Sequence, residues 1–552
     1  MKKPAWLLLG IILFLSLFLG GCIEQNTASD DHKSRNAGRP SDNKKPVDGG
    51  DLIIGSIGSP ILFNPLYSND GVSADIQDFI FEGLVGSSKE DFSPATDKLA
   101  ADVEESEDGL TYTVKLKEGI KFHDGEDLTA DDVVFTYRIP LSPDYDGPRK
   151  SYFEALESVE KVDDETIKFR LNKVDAQFQT VGLSFGILPE HILKDVPIRE
   201  LAEHEFNTKK PIGSGPFKFV EWEDGEYVKV EAFDEYYQGR PHLDTITMKF
   251  VPDTNAMLTQ LKNRDIDFYA GIPASDIETV KSFQNDIDIK IEEGLALSYT
   301  FFAGNMRNEL FKDKKVRQAI AHAIDRETIV NEILEGHGQV AHVPESPLSW
   351  AYNPDVPKFE YDPEKAKKML ADAGWKPGKD GILKKDGKRF SFELKTNHGS
   401  RVREDIVVLL QEQLKKAGIE AKPVFVDYST LINDVKPGVW NFDAVIFAWL
   451  LGTDPDPSSF FHSKEIDKGL NFIGYTNAEL DRLMEIQLQE RDLEKRKELI
   501  GKIQAKIAED QPYILLFYPT EFRAMPAELE GYEFHPKNKI YKPHQWWLNK
   551  QD

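Results

Sequence analysis

Leu110-Thr-Tyr-Thr-Val-Lys-Leu-Lys-Glu-Gly-Ile-Lys-Phe-His-Asp-Gly125, with Leu128-Thr-Ala-Asp-Asp-Val-Val-Phe135 just beyond it, is a strand, a turn and the start of a helix. Leu110, Tyr112, Val114 and Leu116 alternate with polar residues, as a half-buried strand requires. Asp124-Gly125 is a turn pair. Thr129 stands where an N-cap belongs, before the apolar run at Val133. The same alternation recurs at Thr166–Leu171. Phe217–Glu221 and Tyr227–Glu231 flank Asp224-Gly225, a hairpin signal. Asp443–Ala448 and Tyr513–Phe517 are continuous apolar runs, the pattern of strands buried on both faces.

Helical spacing lies between these strands. Phe311 to Ile324 places Val316, Ala319, Ile320, Ala323 and Ile324 on one face. Asp362-Pro363 opens a helix that runs to Ala373 and stops at Gly374. Asn477 to Ala508 is expected to be mostly helical, with Leu480, Leu483, Met484, Ile486, Leu488, Leu499, Ile503 and Ile507 facing inward. Strands and helices mixed in this way define an α/β chain. The body after residue 50 is about 500 residues, enough for roughly three lobes at the usual domain size.

The amino terminus bears on the compartment. Lys2 and Lys3 precede an apolar stretch from Leu7 to Leu19, and Leu19-Gly20-Gly21-Cys22 follows. A basic start, a short apolar core and small residues before a cut describe a secretory signal. The stretch is short of the about 20 residues that a membrane span needs. Cys22 is the only cysteine of the 552 residues, so disulfides and thiolate metal sites are excluded. Residues 23–50 are polar and poor in large apolar side chains, which suits a flexible tether. The formal net charge is −27, and loss of Lys2 and Lys3 with the signal makes the remainder more acidic still. Nucleic acid is thereby disfavoured as a partner.

No Gly-x-Ser-x-Gly elbow, phosphate loop, His-Glu-x-x-His or dinucleotide fingerprint occurs. His123, His337, His342, His398 and His462 lack metal-ligand spacing. The chain reads as a binding protein rather than an enzyme, with no cofactor.

Four segments resemble the family 5 extracellular solute-binding proteins, the peptide- and nickel-binding subunits of ABC importers. They are Phe81-Glu-Gly-Leu84 with the opening stretch; Gly213-Ser-Gly-Pro-Phe217 with Tyr236-Tyr-Gln-Gly239 and Pro241-His-Leu-Asp244; Phe311–Arg326 with Tyr361–Leu370; and Trp449-Leu-Leu-Gly-Thr-Asp-Pro-Asp-Pro457. Leu-Gly-Gly-Cys22 resembles the lipobox of bacterial lipoproteins, whose cysteine is lipidated. The resemblance implies a two-lobed, periplasmic-binding-protein-like clamp (type II, cluster C-like) with an extra domain on one lobe. Residues 51–86, 187–297 and 516–552 would form domain I, 87–186 the extra domain II, and 298–515 domain III. It further implies a monomer anchored to the cell membrane on its outer side, short peptides as ligand, and permease and ATPase subunits as partners. A nickel chelate, haem or an oligosaccharide as ligand, and a peptide-sensing role, stay open; an extracytoplasmic hydrolase is the remaining rival.

A receptor for varied peptides should pair with their main chain and neutralise their charged ends. By resemblance, the amine falls to the segment after Trp449, where Asp454 is the leading candidate, beside Thr453 and Asp456. Ala448 and Leu450 flank Trp449 and offer backbone pairing. Arg401 and Arg403, at the start of a helix, are candidates for the carboxylate. Ser56 and Ile57, at the end of the first strand, should line the cleft from the other lobe; Trp222 and Tyr299 are further aromatic candidates. Replacement of the anchoring thiol, Cys22→Ser, is expected to release the protein from the membrane fraction into the medium or periplasm, as read by fractionation and immunoblotting.

Overall fold

Tyr513–Pro526 is a 14-residue strand with two environments. Tyr513 to Tyr518 are all buried, Pro519 to Glu521 are half-buried, and Phe522 to Pro526 are buried again. Its first half pairs antiparallel with Ser298–Gly304, and its second half with Ile289–Leu295 and Phe268–Ile272. This computed structural model describes residues 45–68, 70–251, 253–467 and 469–549. The apolar lead-in, Cys22 and most of the tether lie outside those residues.

The shared strand sits near the middle of a large sheet. To one side lie Ser298–Gly304, Ala444–Leu450, Ser391–Asn397 and Glu420–Val426. To the other lie Phe268–Ile272, Asp51–Ser56, Thr245–Phe250, Tyr227–Ala232 and Phe217–Glu223. Strand pairing passes from one half to the other at residues 295–298 and again near 517–520. Pro519 stands at the second crossing; it has no N–H to give, and the short strand Gly338–Val340 pairs there through its own register.

The opening stretch forms part of a separate four-stranded antiparallel sheet, in the order Ala100–Glu105, Thr111–Leu116, Thr166–Leu171, Leu156–Lys161. Tyr112, Val114 and Leu116 are buried, as their spacing requires. Thr129 caps the helix Ala130–Leu141, and Asp132 returns a bond to the Thr129 N–H at 2.9 Å, a full capping box. This small sheet is fused to its neighbour by one core: Tyr112, Val114, Ile167 and Phe169 belong to the same apolar cluster as Leu52, Ile246 and Phe268. No residue from 298 to 515 belongs to that cluster. The 298–515 part instead has a core on each face of its sheet. Phe302, Ile320, Ile406 and Ile446 lie on one face, and Phe301, Phe447, Met484 and Ile503 on the other. The two-residue period of the strands sorts Phe301 from Phe302.

Three local expectations need correction. The 311–324 helix is broken: Glu309–Lys312 and Lys314–Ala323 are separate, because Asp313 turns out of the helix and caps the second piece through the Lys315 N–H at 2.9 Å. The 477–508 region is likewise two helices, Ala478–Gln487 and Leu493–Asp510, with Asp492 capping the second. Ile486, expected to face inward, is exposed, because its place in Ala478–Gln487 turns it away from the face that buries Leu480 and Met484. Gly213 and Gly215 serve close approach of two backbone segments. A Cβ on Gly213 would lie 2.0 Å from the Ile80 carbonyl oxygen and one on Gly215 2.4 Å from that of Phe79, at the end of the helix Gly71–Ile80. Backbone on both sides leaves no side chain free to yield. Gly213→Ala is therefore expected to lower stability by about 1–3 kcal/mol, the usual cost of overpacking, measurable as a lower midpoint in denaturant unfolding.

Candidate functional site

Each half of the large sheet has a strand that opens at its end. On the first half, Asp51–Ser56 runs parallel to Thr245–Phe250 and Phe268–Ile272. Beyond Ser56 the chain leaves the sheet, and Ile57 and Ile61 are exposed. A cavity of about 400 Å³ opens there, lined by Ser56, Ile57, Asp70, Asp75 and Lys539 among others. Lys539 lies 3.8 Å from Asp75.

On the second half, Ala444–Leu450 begins fully buried and opens toward its end. Ala448 and Trp449 are half-buried and Leu450 is 83% exposed. One edge of this strand pairs along its whole length with Ser298–Gly304, from Gly304↔Ala444 to Ser298↔Leu450. The other edge pairs only at Leu394↔Ala444 and Lys395↔Val445, with a last bond from the Thr396 hydroxyl to the Ile446 carbonyl at 3.1 Å. From Phe447 to Leu450 that edge has no strand partner among the described residues. An unpaired row of N–H and C=O groups is what an extended peptide needs in order to add a strand. The Trp449 ring points into the core, 4.9 Å from Phe460 and stacked with Phe301, while its N–H donates to the Tyr513 hydroxyl at 3.4 Å. Tyr299 and Trp222 are packing residues too: Tyr299 is fully buried and Trp222 sits 5.1 Å from Phe63.

The charged candidates divide. Both oxygens of Asp454 are engaged by Arg496 in a bidentate pair, at 2.7 and 2.8 Å, and both side chains are only 5% exposed. The cation that Asp454, the leading candidate for the peptide amine, faces here is supplied from within the chain. Gln177 donates to Asp454 at 3.0 Å and to Asp456 at 3.3 Å. Asp456 also accepts from Gln487 at 2.7 Å and from the Ser458 hydroxyl at 2.5 Å. Arg496 closes the ring by donating to Gln487 at 3.0 Å. Thr453, between these acids and Trp449, is half-buried. Three carboxyl groups (Asp175, Asp454 and Asp456) thus share the neighbourhood of one guanidinium, and a fourth, Glu345, lies near Asp454. Burial pushes Asp456 up to about 6 and Glu345 up to about 8, and the nearby Asp454 charge adds to both.

Arg401 is a surface residue, 83% exposed and 3.7 Å from Asp405. Arg403 differs. It opens the same helix, Arg401–Lys416, but is half-buried, and its Nε is buried without a hydrogen bond. Burial lowers its guanidinium below the ordinary arginine value. Next to this helix in the chain, Asn397 is buried with an unsatisfied Oδ1 while its Nδ2 donates to the His398 carbonyl at 2.7 Å. Sequence reasoning missed Asn397, Glu345 and Arg496. Asn397 had a signal, since it ends a strand directly before the helix of Arg403. The partnership of Arg496 with Asp454 had none, because 42 residues separate them. Among the described residues, no group of three or more His, Cys, Asp or Glu is placed to hold a metal, and no helix is long and apolar enough to cross a membrane.

Two sheet halves joined by a shared strand, with open strand ends on both, define a two-lobed solute-capturing clamp. Residues 95–469 match the bacterial extracellular solute-binding proteins, family 5; the chain belongs to that family. It is 50% identical to the oligopeptide-binding protein AppA of Bacillus subtilis (strain 168), over the whole of this chain and 99% of that one. The structure of AppA from Bacillus subtilis in complex with a nonapeptide superposes with a TM-score of 0.77 at 52% identity, covering 92% of this chain and all of that one. NikZ from Campylobacter jejuni, in complex with Ni(L-His), superposes at 0.78 with 30% identity, covering 90% of this chain and 99% of that one.

The raised acids set a pH dependence. An acid whose folded value lies above its unfolded one keeps a proton that the unfolded chain releases, so stability falls as pH rises between the two. For Glu345 that window runs from 4.5 to about 8. Glu345→Gln is expected to flatten the loss of stability across this range, as measured by thermal unfolding at a series of pH values.

Proposed function

We propose that this protein captures short peptides outside the cytoplasmic membrane and passes them to an ABC permease driven by an ATPase. The observation that carries the reading is the open strand edge from Phe447 to Leu450. It offers main-chain pairing that ignores side-chain identity, which is what a receptor for varied peptides requires. Identity of 50% along the full length of an oligopeptide-binding protein supports it. The binding mode is a peptide strand between Ala448–Leu450 on one lobe and Ser56–Ile57 on the other, with Trp449 fixing the first edge from behind. Arg403, whose guanidinium Nε has no protein partner, takes the peptide carboxylate, and Asn397 accepts a peptide N–H. Asp454 and Asp456 shape the wall through Arg496 and Gln487 rather than contacting the amine.

The lobes correspond to 51–86, 187–297 and 516–552, with 87–186 packed on them, against 298–515. The crossings at 295–298 and 517–520 serve as the hinge. Cys22 carries the lipid anchor and the following residues the tether. The protein works as a monomer, and its task is binding and release without chemical turnover.

Mass spectrometry of ligands that co-purify, followed by calorimetry with a mixed peptide pool, tests the ligand class; a preparation carrying only sugar, haem or metal overturns it. Arg403→Ala is expected to weaken peptides with a free C-terminus by about tenfold or more, the value of one charge-assisted bond, and amidated peptides far less. Equal losses for both would remove Arg403 from the carboxylate site.

A further inference from the structure

The two halves of the molecule meet at a second place, away from the shared strand. The small four-stranded sheet touches the 298–515 part through a handful of polar groups. The turn after Ala100–Glu105 is rigid. The Ser106 hydroxyl donates to Asp108 at 2.6 Å, Thr111 N–H donates to the Ser106 oxygen at 2.9 Å, and Gly109 N–H donates to the Ser106 carbonyl at 2.9 Å. Gly109 adopts φ +69°, and a Cβ on it would lie 2.5 Å from Cδ of Arg491. Arg491 thus lies directly over the turn. Its Nε donates to Glu105 at 2.6 Å, one terminal nitrogen donates to the Ser106 carbonyl at 2.5 Å, and the other donates to the Glu107 carbonyl. Arg491 itself sits in the break between Ala478–Gln487 and Leu493–Asp510. In the same break, the Leu488 carbonyl accepts from the Ala176 N–H at 2.9 Å. Gln177, one residue on, reaches Asp454 and Asp456. Trp350 N–H donates to the Asp91 carbonyl at 3.1 Å.

The character of this contact matters. The small sheet shares a continuous apolar core with the first half, and that core includes no residue of 298–515. It is therefore carried with the first half, while the contacts named above that tie it to the second half are hydrogen bonds and one partly exposed ion pair, Arg491–Glu105. Small polar contacts of this kind form and break as domains move. All three donors that Arg491 uses find acceptors at once, and two of these are carbonyls held by a stiff turn. This lowers the entropy lost each time the contact forms.

We propose that Arg491 is a positioning residue for ligand capture: it clamps the small sheet to the 298–515 half when the cleft is shut, and so sets peptide affinity without touching the peptide. The proposal rests on the peptide reading above for its ligand, but not for its geometry. Ligand that is already bound then leaves only after this clamp has opened, so its effect falls on the dissociation rate.

The test uses the mature protein and the variants Arg491→Ala and Arg491→Lys. Arg491→Ala is expected to raise Kd for pool peptides about tenfold, nearly all of it in the off-rate measured by stopped-flow tryptophan fluorescence. Small-angle scattering of the ligand-free protein should show a larger radius of gyration, while its thermal midpoint stays where it was. Arg491→Lys should fall between, since lysine keeps the charge and loses the fork. An unchanged off-rate together with an unchanged radius overturns the proposal. So does a ligand-free thermal midpoint that drops in step with affinity, which would make Arg491 merely structural. If the wild type binds no peptide at all, the peptide reading fails alone, and the scattering comparison still decides the clamp.

Discussion

Every backbone polar group buried in a sheet must find a partner, and Tyr513–Pro526 meets that demand in two sheet halves with one uninterrupted strand. Its neighbour makes the same crossing in the opposite direction, from Ile289–Leu295 into Ser298–Gly304. The two halves are therefore joined by a pair of adjacent antiparallel segments, each hydrogen-bonded on either side of the crossing. The half-buried stretch Pro519 to Glu521 is the least enclosed part of the strand. That crossing divides the large sheet into the half that carries Ser56 and the half that carries Leu450.

The buried acids obey a second constraint. A carboxylate removed from water needs a cation or several donors, or it takes up a proton. Asp454 has a bidentate guanidinium and an amide. Asp456 and Glu345 have neutral donors only, and burial raises them to about 6 and about 8. One arginine cannot neutralise every acid gathered here, and burial raises Asp175, Asp456 and Glu345 alike. Arginine suits the place better than lysine, since its planar fork also reaches Gln487 and its face lies over Trp350.

Much of the fold was legible because its signals are local. Thr129 and Asp132 declare a helix start within four residues, Asp224-Gly225 declares a hairpin within two, and the alternation of Tyr112, Val114 and Leu116 is a property of one strand. The breaks at Asp313 and Asp492 were missed for a reason of the same scale: an aspartate inside an apolar period can cap a new helix as readily as it can ride the solvent face of an old one. The site was legible only in part. That Trp449 and its neighbours lie at an edge followed from resemblance, but where the edge opens depends on the strand Ser391–Asn397 parting from it after Lys395, a register that no single segment encodes. The fate of Asp454 depended on Arg496, and that of Arg403 on the burial of its Nε without a hydrogen bond; both are facts of packing between distant segments.

The unpaired edge from Phe447 to Leu450 has a further consequence. A strand end with free backbone groups and an exposed leucine is a template for any extended chain, including a second copy of the same protein. A peptide bound there as proposed would cap that template as well, and so act as a solubiliser: it would shield a self-association seam that the protein must otherwise keep apart by other means, and the net charge of −27, which makes copies repel one another, is well suited to that task.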